Sequence, residues 1–491
     1  MSQLTKVSTP ADSPPNDPLC LPGPVSSTLR LTHAEHRGIL WLGDVVICAA
    51  AGVLALWLWT FTRSQPLAMV MAEYGRLMLA MALAWLVLAW AFDLYNPRTA
   101  PTMAVITPRL LGVAGLMLVA YLIVFFVVAP RNPLIRLPLI YFLALVTLLV
   151  ALWRGLLVAL QSRGAFCQRA LVVGAGWAGQ TICRLIRERA KPEFEVIGFI
   201  DDDESKRGAE VVGMPVLGTR DDLLRIARGA GVTTIIYAIT HKLDGRMFQT
   251  LLDCQIAGLS VVRMPALYEA LTGRVPVEHV RNEWMLPDAS EGGQTSLFYR
   301  LFVRLLDLAF GLAAALCLAL LGPLIALLIR LDSPGPVLFR QTRSGRGGAP
   351  FELIKFRSMV ANAEAASGAQ WATEDDPRIT RVGRFLRRTR LDELPQALNI
   401  LRGDIHLIGP RPERPEFIAQ LEKEIPFYRA RLAVKPGLTG WAQIRYRYGN
   451  TVEDALIKLE YDLYYIKNRS AGLDLRVLLQ TVAVMLSFKG T

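Results

Sequence analysis

The sequence predicts a membrane protein in three parts: four transmembrane helices at the N-terminus, a central α/β domain on a parallel sheet, and a basic C-terminal domain preceded by one more apolar segment. Three observations lead there. The 491 residues are 53% hydrophobic and only 20% charged, too apolar for an ordinary soluble enzyme and too charged for an all-helical transporter. Apolar runs of about bilayer length crowd the first third of the chain. From residue 168 onward, strand-like and helical stretches alternate, as in a doubly wound sheet.

Residues 1–36 are rich in Pro, Ser and Asp without apolar periodicity, and a disordered tail is expected there. No signal-peptide pattern is recognisable before the first apolar run. Within 37–162, four runs follow: Ile39–Phe61, Leu77–Phe92, Leu110–Val128 and Leu137–Leu160. Arg63 and Arg76, Arg98 and Arg109, and Arg131 and Arg136 mark the expected breaks. These loops are too alike in charge to orient the bundle, but an even number of spans leaves both its ends on one side. Asp44 lies inside the first run; near a helix end it is expected to snorkel or to face water.

Residues 168–290 carry the α/β pattern. Ala170–Val173, Val196–Ile200, Thr234–Ile239 and Leu259–Val262 read as strands, and Thr181–Glu188, Asp221–Ala227 and Arg246–Gln255 as helices. Gly174, Gly176 and Gly179 form GxGxxG between a strand and a helix, with Asp201 closing the next strand. This is the context of a Rossmann-like dinucleotide site. The same glycines also serve a turn that only lets strand and helix pack closely, and the sequence leaves both readings open. Ser290–Ser296 reads as a linker.

The domain 297–491 holds 28 Lys and Arg against 19 Asp and Glu, so +9 of the chain's +12 lies there. Such a surface meets nucleotides, phosphates or acidic headgroups, or follows a positive-inside bias; no nucleic-acid partner is expected. Leu305–Leu331 is long enough to span a bilayer but is interrupted at Gly322-Pro323, where proline removes a helical donor and glycine relaxes the backbone. Basic residues flank both ends, so a re-entrant helix that returns to the same side is expected. Leu473–Phe488 is short and opens with Asp474 and Arg476, which suits an interfacial helix. The six cysteines are scattered, with no CxxC, and the five histidines show no ligand spacing. A disulfide framework and a zinc cluster are thereby excluded, and a reducing compartment fits.

Arg381, Arg384 and Arg388 recur at helical spacing, with Arg387 beside them. A charge run of this kind is ordinarily a solvated face. Here Leu391-Asp392-Glu393-Leu394-Pro395-Gln396 follows at once. One carboxylate could attack phosphorus while the other holds a divalent cation, although the residues alone read Asp392 first as a helix N-cap.

At this point the chain is identifiable by its words. Leu331–Gln341, Lys355-Phe-Arg357-Ser-Met359, Leu391–Gln396, Gly403-Asp404, Ile408-Gly-Pro-Arg411-Pro-Glu413, Val434-Lys435-Pro-Gly-Leu-Thr-Gly-Trp-Ala-Gln443 and Tyr461–Asn468 stand in fixed order. Residues from about 300 to the end closely resemble the bacterial sugar transferase family, the polyprenyl-phosphate phosphoglycosyl transferases that begin exopolysaccharide, capsule or O-antigen assembly. The four spans and the Rossmann-like domain resemble its large polytopic members, and Arg445-Tyr-Arg-Tyr-Gly449 its exopolysaccharide-associated ones, the undecaprenyl-phosphate glucose-1-phosphate transferases.

The resemblance implies a mainly α catalytic domain on the cytoplasmic face of the bacterial inner membrane. It implies transfer of a sugar 1-phosphate, with glucose expected before galactose, from a UDP-sugar to undecaprenyl phosphate with loss of UMP. Asp392 would be the nucleophile, Glu393 the Mg2+ ligand, and Arg387 and Arg411 phosphate-binding arginines. Lys355, Arg357 and Lys435 are expected at the substrate, and the large members imply a homodimer. Two departures stand out: Arg431-Leu432 where many members have Arg-His, and Gly322-Pro323 where smaller members have Ser-Pro. Two rival readings stand beside this one. One is a non-catalytic membrane scaffold binding a nucleotide sugar, against which the intact Asp392-Glu393 and Arg411 speak. The other is an NAD-dependent sugar epimerase, against which Tyr268 and Tyr299 speak, since neither has a lysine four residues on.

Overall fold

A computed structural model of the chain describes residues 33–63, 66–95, 102–128, 136–162, 167–190, 193–240, 244–277, 297–361, 363, 376–446, 449 and 451–486. Most of the expected tail, the linker Ser290–Ser296, Arg98 and Arg131 lie outside them. The chain divides into two compact units. One comprises Gln168–Cys183 and Phe194–Val262; the other holds the apolar helices and everything from Arg263 on.

The N-terminal helices are α1 (His33–Arg63), α2 (Leu67–Ala91), α3 (Met103–Val128) and α4 (Arg136–Ser162). Four stretches in them, with Leu297–Asp332 as a fifth, are long and apolar enough to cross a membrane. The helices begin earlier than the apolar runs. α1 takes in His33–His36, expected in the tail, with Glu35 in the first turn where the helix dipole favours an acid. α2 starts directly after Pro66 and keeps Arg76, exposed, within it. α3 keeps Arg109, which donates to the Asp93 carbonyl at 3.4 Å. A long side chain can leave an apolar stretch without ending its helix, so these arginines do not mark breaks. Asp44 corrects a second expectation. It is fully buried and ion-paired with Arg154 of α4 at 2.7 Å, stapling α1 to α4. A charge among apolar helices needs a partner where water is absent.

From Gln168 to Arg263, β1 (Gln168–Val173), α5 (Trp177–Leu185, passing into a π turn at Ile186–Ala190), β2 (Phe194–Ile200), β3 (Glu210–Val211), β4 (Met214–Gly218), α6 (Leu223–Gly229), β5 (Thr234–Tyr237), α7 (Gly245–Ile256) and β6 (Ser260–Arg263) follow in order, with Arg184–Glu193 counted to the second unit. The sheet order is β3-β4-β2-β1-β5-β6. β1 pairs in parallel with β2 and β5, β2 pairs in parallel with β4, and β3 is antiparallel to β4. β3 and β4 carry Glu210 and Pro215 and give no apolar run to read. The core joins Leu171, Val173, Ile200, Ile226, Ile235 and Leu251.

The second unit continues with α8 (Met264–Thr272), α9 (Leu297–Asp332), the antiparallel hairpin β7 (Leu338–Ser344) and β8 (Pro350–Phe356), α10 (Arg381–Thr389), a 3-10 turn at Leu391–Gln396 and α11 (Ala397–Arg402). Then come β9 (His406–Ile408), α12 (Pro415–Glu424), β10 (Gly437–Thr439), α13 (Trp441–Arg445), α14 (Val452–Lys467) and α15 (Ala471–Leu486). The expected end of the α/β domain near residue 290 is displaced. Val275 and Val277 are buried against Ile418, Tyr428, Leu459 and Leu463, and Trp441 donates its indole N–H to the Gly273 carbonyl at 3.0 Å. Residues 264–277 are thus built into the C-terminal unit, because their apolar side chains complete its core.

A polar knot ties α2 to the C-terminal helices. Asp93, in left-handed backbone conformation and 3% exposed, pairs with Arg445 and, at 2.9 Å, with Arg476. Gln480 donates to the Ala91 carbonyl at 2.7 Å. α15 also buries Asp474, which accepts from the hydroxyls of Tyr299 and Tyr465 at 2.6 and 2.7 Å.

Candidate active site

The Asp392-Glu393 pair sits in the 3-10 turn between α10 and α11. Arg390, at φ 60, ends α10 in left-handed conformation and reverses the chain. Asp392 is therefore not the N-cap the sequence suggested; α11 begins only after Gln396. β8 runs beside this turn and brings Lys355 to it. Asn399, fully buried, fixes their register: its amide donates to the Glu352 carbonyl at 2.7 Å and its oxygen accepts from Ile354 N–H at 3.1 Å.

Arg411 arrives from the other side. Parallel β9 and β10 hold the Ile408–Arg411 and Val434–Thr439 words together. They pack so closely that a Cβ on Gly437 would overlap the Gly409 backbone, which is why both words carry glycine. Asp307 of α9 secures β9 by accepting from Leu407 N–H at 2.8 Å and lying 2.6 Å from His406 Nδ1. Buried Arg431 secures Arg411 itself, donating to its carbonyl at 3.0 Å while held by Asp462 at 2.8 Å and the Tyr428 hydroxyl at 2.7 Å.

Three cations converge on Glu393 Oε1: Arg411 at 2.9 Å, Lys355 at 3.2 Å and Arg390 at 3.9 Å. Burial pushes the Glu393 carboxyl up, but Lys355, Arg411 and Arg390 together hold it well below the usual carboxylate range. Asp392 differs. It is 7% exposed and accepts no hydrogen bond among the described residues. Burial raises its pKa, with Glu393 adding to the rise, against the pull of Lys355, Arg387 and Arg390. Arg387 is fixed by donating from Nε to the Ser358 hydroxyl at 2.9 Å.

Of the expected site residues, the structure brings Asp392, Glu393, Lys355, Arg387 and Arg411 together. It does not bring Arg357, which is buried and donates to the Ser333 and Pro334 carbonyls at 2.7 and 2.9 Å, clamping the turn after α9. Nor does it bring Lys435, which donates to the Gly403 carbonyl at 2.7 Å. A basic residue inside a motif serves a backbone carbonyl as readily as a phosphate. The sequence assigned no site role to Arg390, Ser358, Asn399 or the Arg431–Asp462 pair, although Arg390 ends the arginine run, Ser358 and Asp462 lie inside family words and Arg431 stands in the Arg431-Leu432 departure; only Asn399 carried no signal. Among the described residues no group of three His, Cys, Asp or Glu forms a metal cluster. Two adjacent carboxylates nevertheless suit a magnesium ion, which takes its other oxygens from water and a diphosphate.

The glycine loop of the α/β unit is differently occupied. Asp201 accepts from Ala175 N–H at 2.8 Å and Asp203 N–H at 3.0 Å, and pairs with Lys206 at 3.3 Å. Gly174 has φ 102, and a Cβ on Gly179 would overlap the Gly174 carbonyl. Gly176 faces open space.

α9 touches the catalytic elements at both ends. Arg304 donates to the Ile400 and Leu401 carbonyls at 3.2 and 3.0 Å, and a Cβ on Gly311 would press on Leu401 at 2.8 Å. Twenty residues on, Ile325 and Ile329 are buried against Phe356 and Leu386, and Asp332 accepts from Val382 N–H at 2.9 Å. Between them Leu312, Leu316 and Leu320 are 62, 63 and 72% exposed. The helix continues through Gly322-Pro323, where an outright break was expected.

Two family models match the chain. Residues 298–488 match the bacterial sugar transferase family, and residues 90–265 match a CoA-binding domain family. The UDP-N-acetylgalactosamine-undecaprenyl-phosphate N-acetylgalactosaminephosphotransferase of Aeromonas hydrophila is 42% identical over 251 residues, covering 50% of this chain and 56% of that one, so the match spans about half that relative's length. The UDP-glucose:undecaprenyl-phosphate glucose-1-phosphate transferases of Xanthomonas campestris pv. campestris and Escherichia coli K12 are 34 and 35% identical, covering 70 and 66% of this chain and 72% of each of theirs. With family words, family model and long relatives in agreement, the chain belongs to the bacterial sugar transferase family of polyprenyl-phosphate sugar phosphotransferases.

Proposed function

We propose that this chain transfers a sugar 1-phosphate from a UDP-sugar to undecaprenyl phosphate through a covalent intermediate on Asp392. The observation that carries this reading is the inequality of the two carboxylates. Glu393 is neutralised by three cations, whereas Asp392 lies buried beside them and accepts from no donor among the described residues. In the first half-reaction an Asp392 oxygen attacks the sugar-bearing phosphorus. The bond from that phosphorus to the bridging oxygen breaks, and UMP leaves with the electron pair. In the second, a phosphate oxygen of undecaprenyl phosphate attacks the same phosphorus and Asp392 leaves as carboxylate. Lys355, Arg387, Arg390 and Arg411 counter the diphosphate charge that would repel an anionic nucleophile. Magnesium, held by Glu393 with Asp392 as neighbour, would add to that neutralisation. Glucose is the proposed sugar, because the relatives matched over most of their length are named for it.

The catalytic unit works on the cytoplasmic face of the inner membrane, where UDP-sugars are made, and α9 enters the bilayer and returns by bending at Pro323, whose missing N–H weakens the helix there without ending it. Contacts at both ends of α9 with one set of catalytic elements, around an exposed apolar middle, support this. Impermeant labelling in spheroplasts of Phe298→Cys and Arg346→Cys, with the native cysteines replaced, is expected to be blocked at both sites until the membrane is opened. Both positions are exposed, whereas the nearby Ser344 is buried.

The test of the reaction is a quench experiment. Full-length protein given UDP-[14C]glucose and Mg2+ without acceptor is expected to retain label on protein and to release it to undecaprenyl phosphate. Active enzyme that never carries label would overturn the Asp392 intermediate. A panel including UDP-galactose and UDP-N-acetylgalactosamine decides the sugar.

A further inference from the structure

α10 is a two-faced helix whose outer face the reaction leaves unused. Gly383 and Leu386 are buried, and Arg387 reaches inward to Ser358. Arg381, Arg384, Phe385 and Arg388 are exposed on the opposite side, Phe385 at 59%. None of the three arginines makes an ion pair among the described residues. A phenylalanine amid three exposed guanidinium groups is tolerated in water and is the composition that suits a headgroup layer.

The helix also packs on the last stretch of α9, which is long and apolar enough to enter a membrane. Its first turn is capped by Asp332 at the end of α9, and Leu386 packs on Ile325 and Ile329. The opposite side of that last stretch of α9 exposes Leu324, Leu327, Leu328 and Leu331 at 57, 55, 41 and 75%. These residues recur at i, i+3, i+4 and i+7, an unbroken apolar stripe on a membrane-length helix.

We propose that Arg381, Arg384, Phe385 and Arg388 dock α10 onto the anionic headgroups of the bilayer that α9 enters. The occupant is a lipid surface. Charge complementarity favours it, since three exposed arginines on one face suit anionic phosphates, and the helix that α10 packs on carries a membrane-length apolar stretch. Arg387 and the Asp392-Glu393 turn follow on the same chain, so this contact sets the height of the dyad above the bilayer. The proposal rests on the membrane-face reading above.

The test uses full-length protein in nanodiscs of phosphatidylcholine with and without phosphatidylglycerol. Bimane is attached to Phe385→Cys, with the native cysteines replaced by serine. Quenching by a headgroup-attached spin label is expected to exceed quenching by aqueous iodide, and to rise with phosphatidylglycerol. Changing Arg381, Arg384 and Arg388 to Gln one at a time is expected to lower the docked fraction about fivefold per residue. Iodide quenching that ignores lipid composition would overturn the proposal and leave a solvated face. Shielding from both quenchers that persists without phosphatidylglycerol would overturn it in favour of a protein contact. UMP release, measured on the same samples, separates outcomes: docking without turnover would refute the reaction and spare the surface.

Discussion

Two stretches of this molecule place an aspartate beside a tight backbone turn, and they end in opposite states. In the α/β unit Asp201 is saturated, holding two backbone N–H groups and Lys206. In the catalytic unit Asp392 is buried among cations, yet no donor among the described residues reaches it. A fully partnered acid closes a loop and makes it architecture. An acid denied its partners keeps its reactivity, at a cost in stability that the surrounding fold must carry.

The largest effect that would break this contrast comes from Asp392→Asn. Turnover is expected to fall by roughly 10^3-fold or more, as for loss of a nucleophile. Thermal stability in detergent should be unchanged or slightly higher, since no hydrogen bond is lost and a buried charge is removed. An Asn variant with ordinary activity would remove the distinction between the two aspartates.

Next come the glycines. Gly179→Ala drives a methyl into the Gly174 carbonyl, and denaturant unfolding of the α/β unit should register a loss of about 3 kcal/mol. Gly176→Ala meets nothing within 4 Å and should cost under about 0.5 kcal/mol. Equal costs would mean that packing does not explain the loop.

A smaller effect concerns pH. Burial raises the Asp392 carboxyl, while Lys355 pulls it down. Below its pKa Asp392 is protonated and cannot attack, so kcat/KM falls on the acid side. Lys355→Met removes the downward pull, and the acid limb should move to higher pH. A limb that stays put, or moves down, would mean that a different group titrates. The smallest expectation is no change: NAD or NADP added to the transfer assay should leave turnover unaffected, because Asp201 is already engaged within its own loop.

The sequence carried much of the site in contiguous words, and it failed where a residue's partner lies far along the chain. Asp392-Glu393 and Arg411 were legible because the chemistry demands those groups side by side in a recognisable order. Arg357 and Lys435 were misread because nothing local distinguishes a guanidinium or ammonium aimed at phosphate from one clamping Ser333 or Gly403. Asp44 was misread because Arg154 stands 110 positions away. The α/β boundary was drawn at the polar linker, whereas Val275 and Val277 belong to a core assembled mostly from residues after 415. The π turn after α5 and the short β3 and β4 left no periodicity to find.

The knot at Asp93 has a consequence for how the protein is made. Its contact with Arg445 closes a separation of 352 residues, about 20–70 s of synthesis at 5–20 residues per second. α1 to α4 are complete long before this clasp can form, so Asp93 must do without Arg445 and Arg476 through most of translation. Closure of the knot is therefore a late event, and a ribosome that stalls before Arg445 leaves the N-terminal helices without their tie to the C-terminal ones.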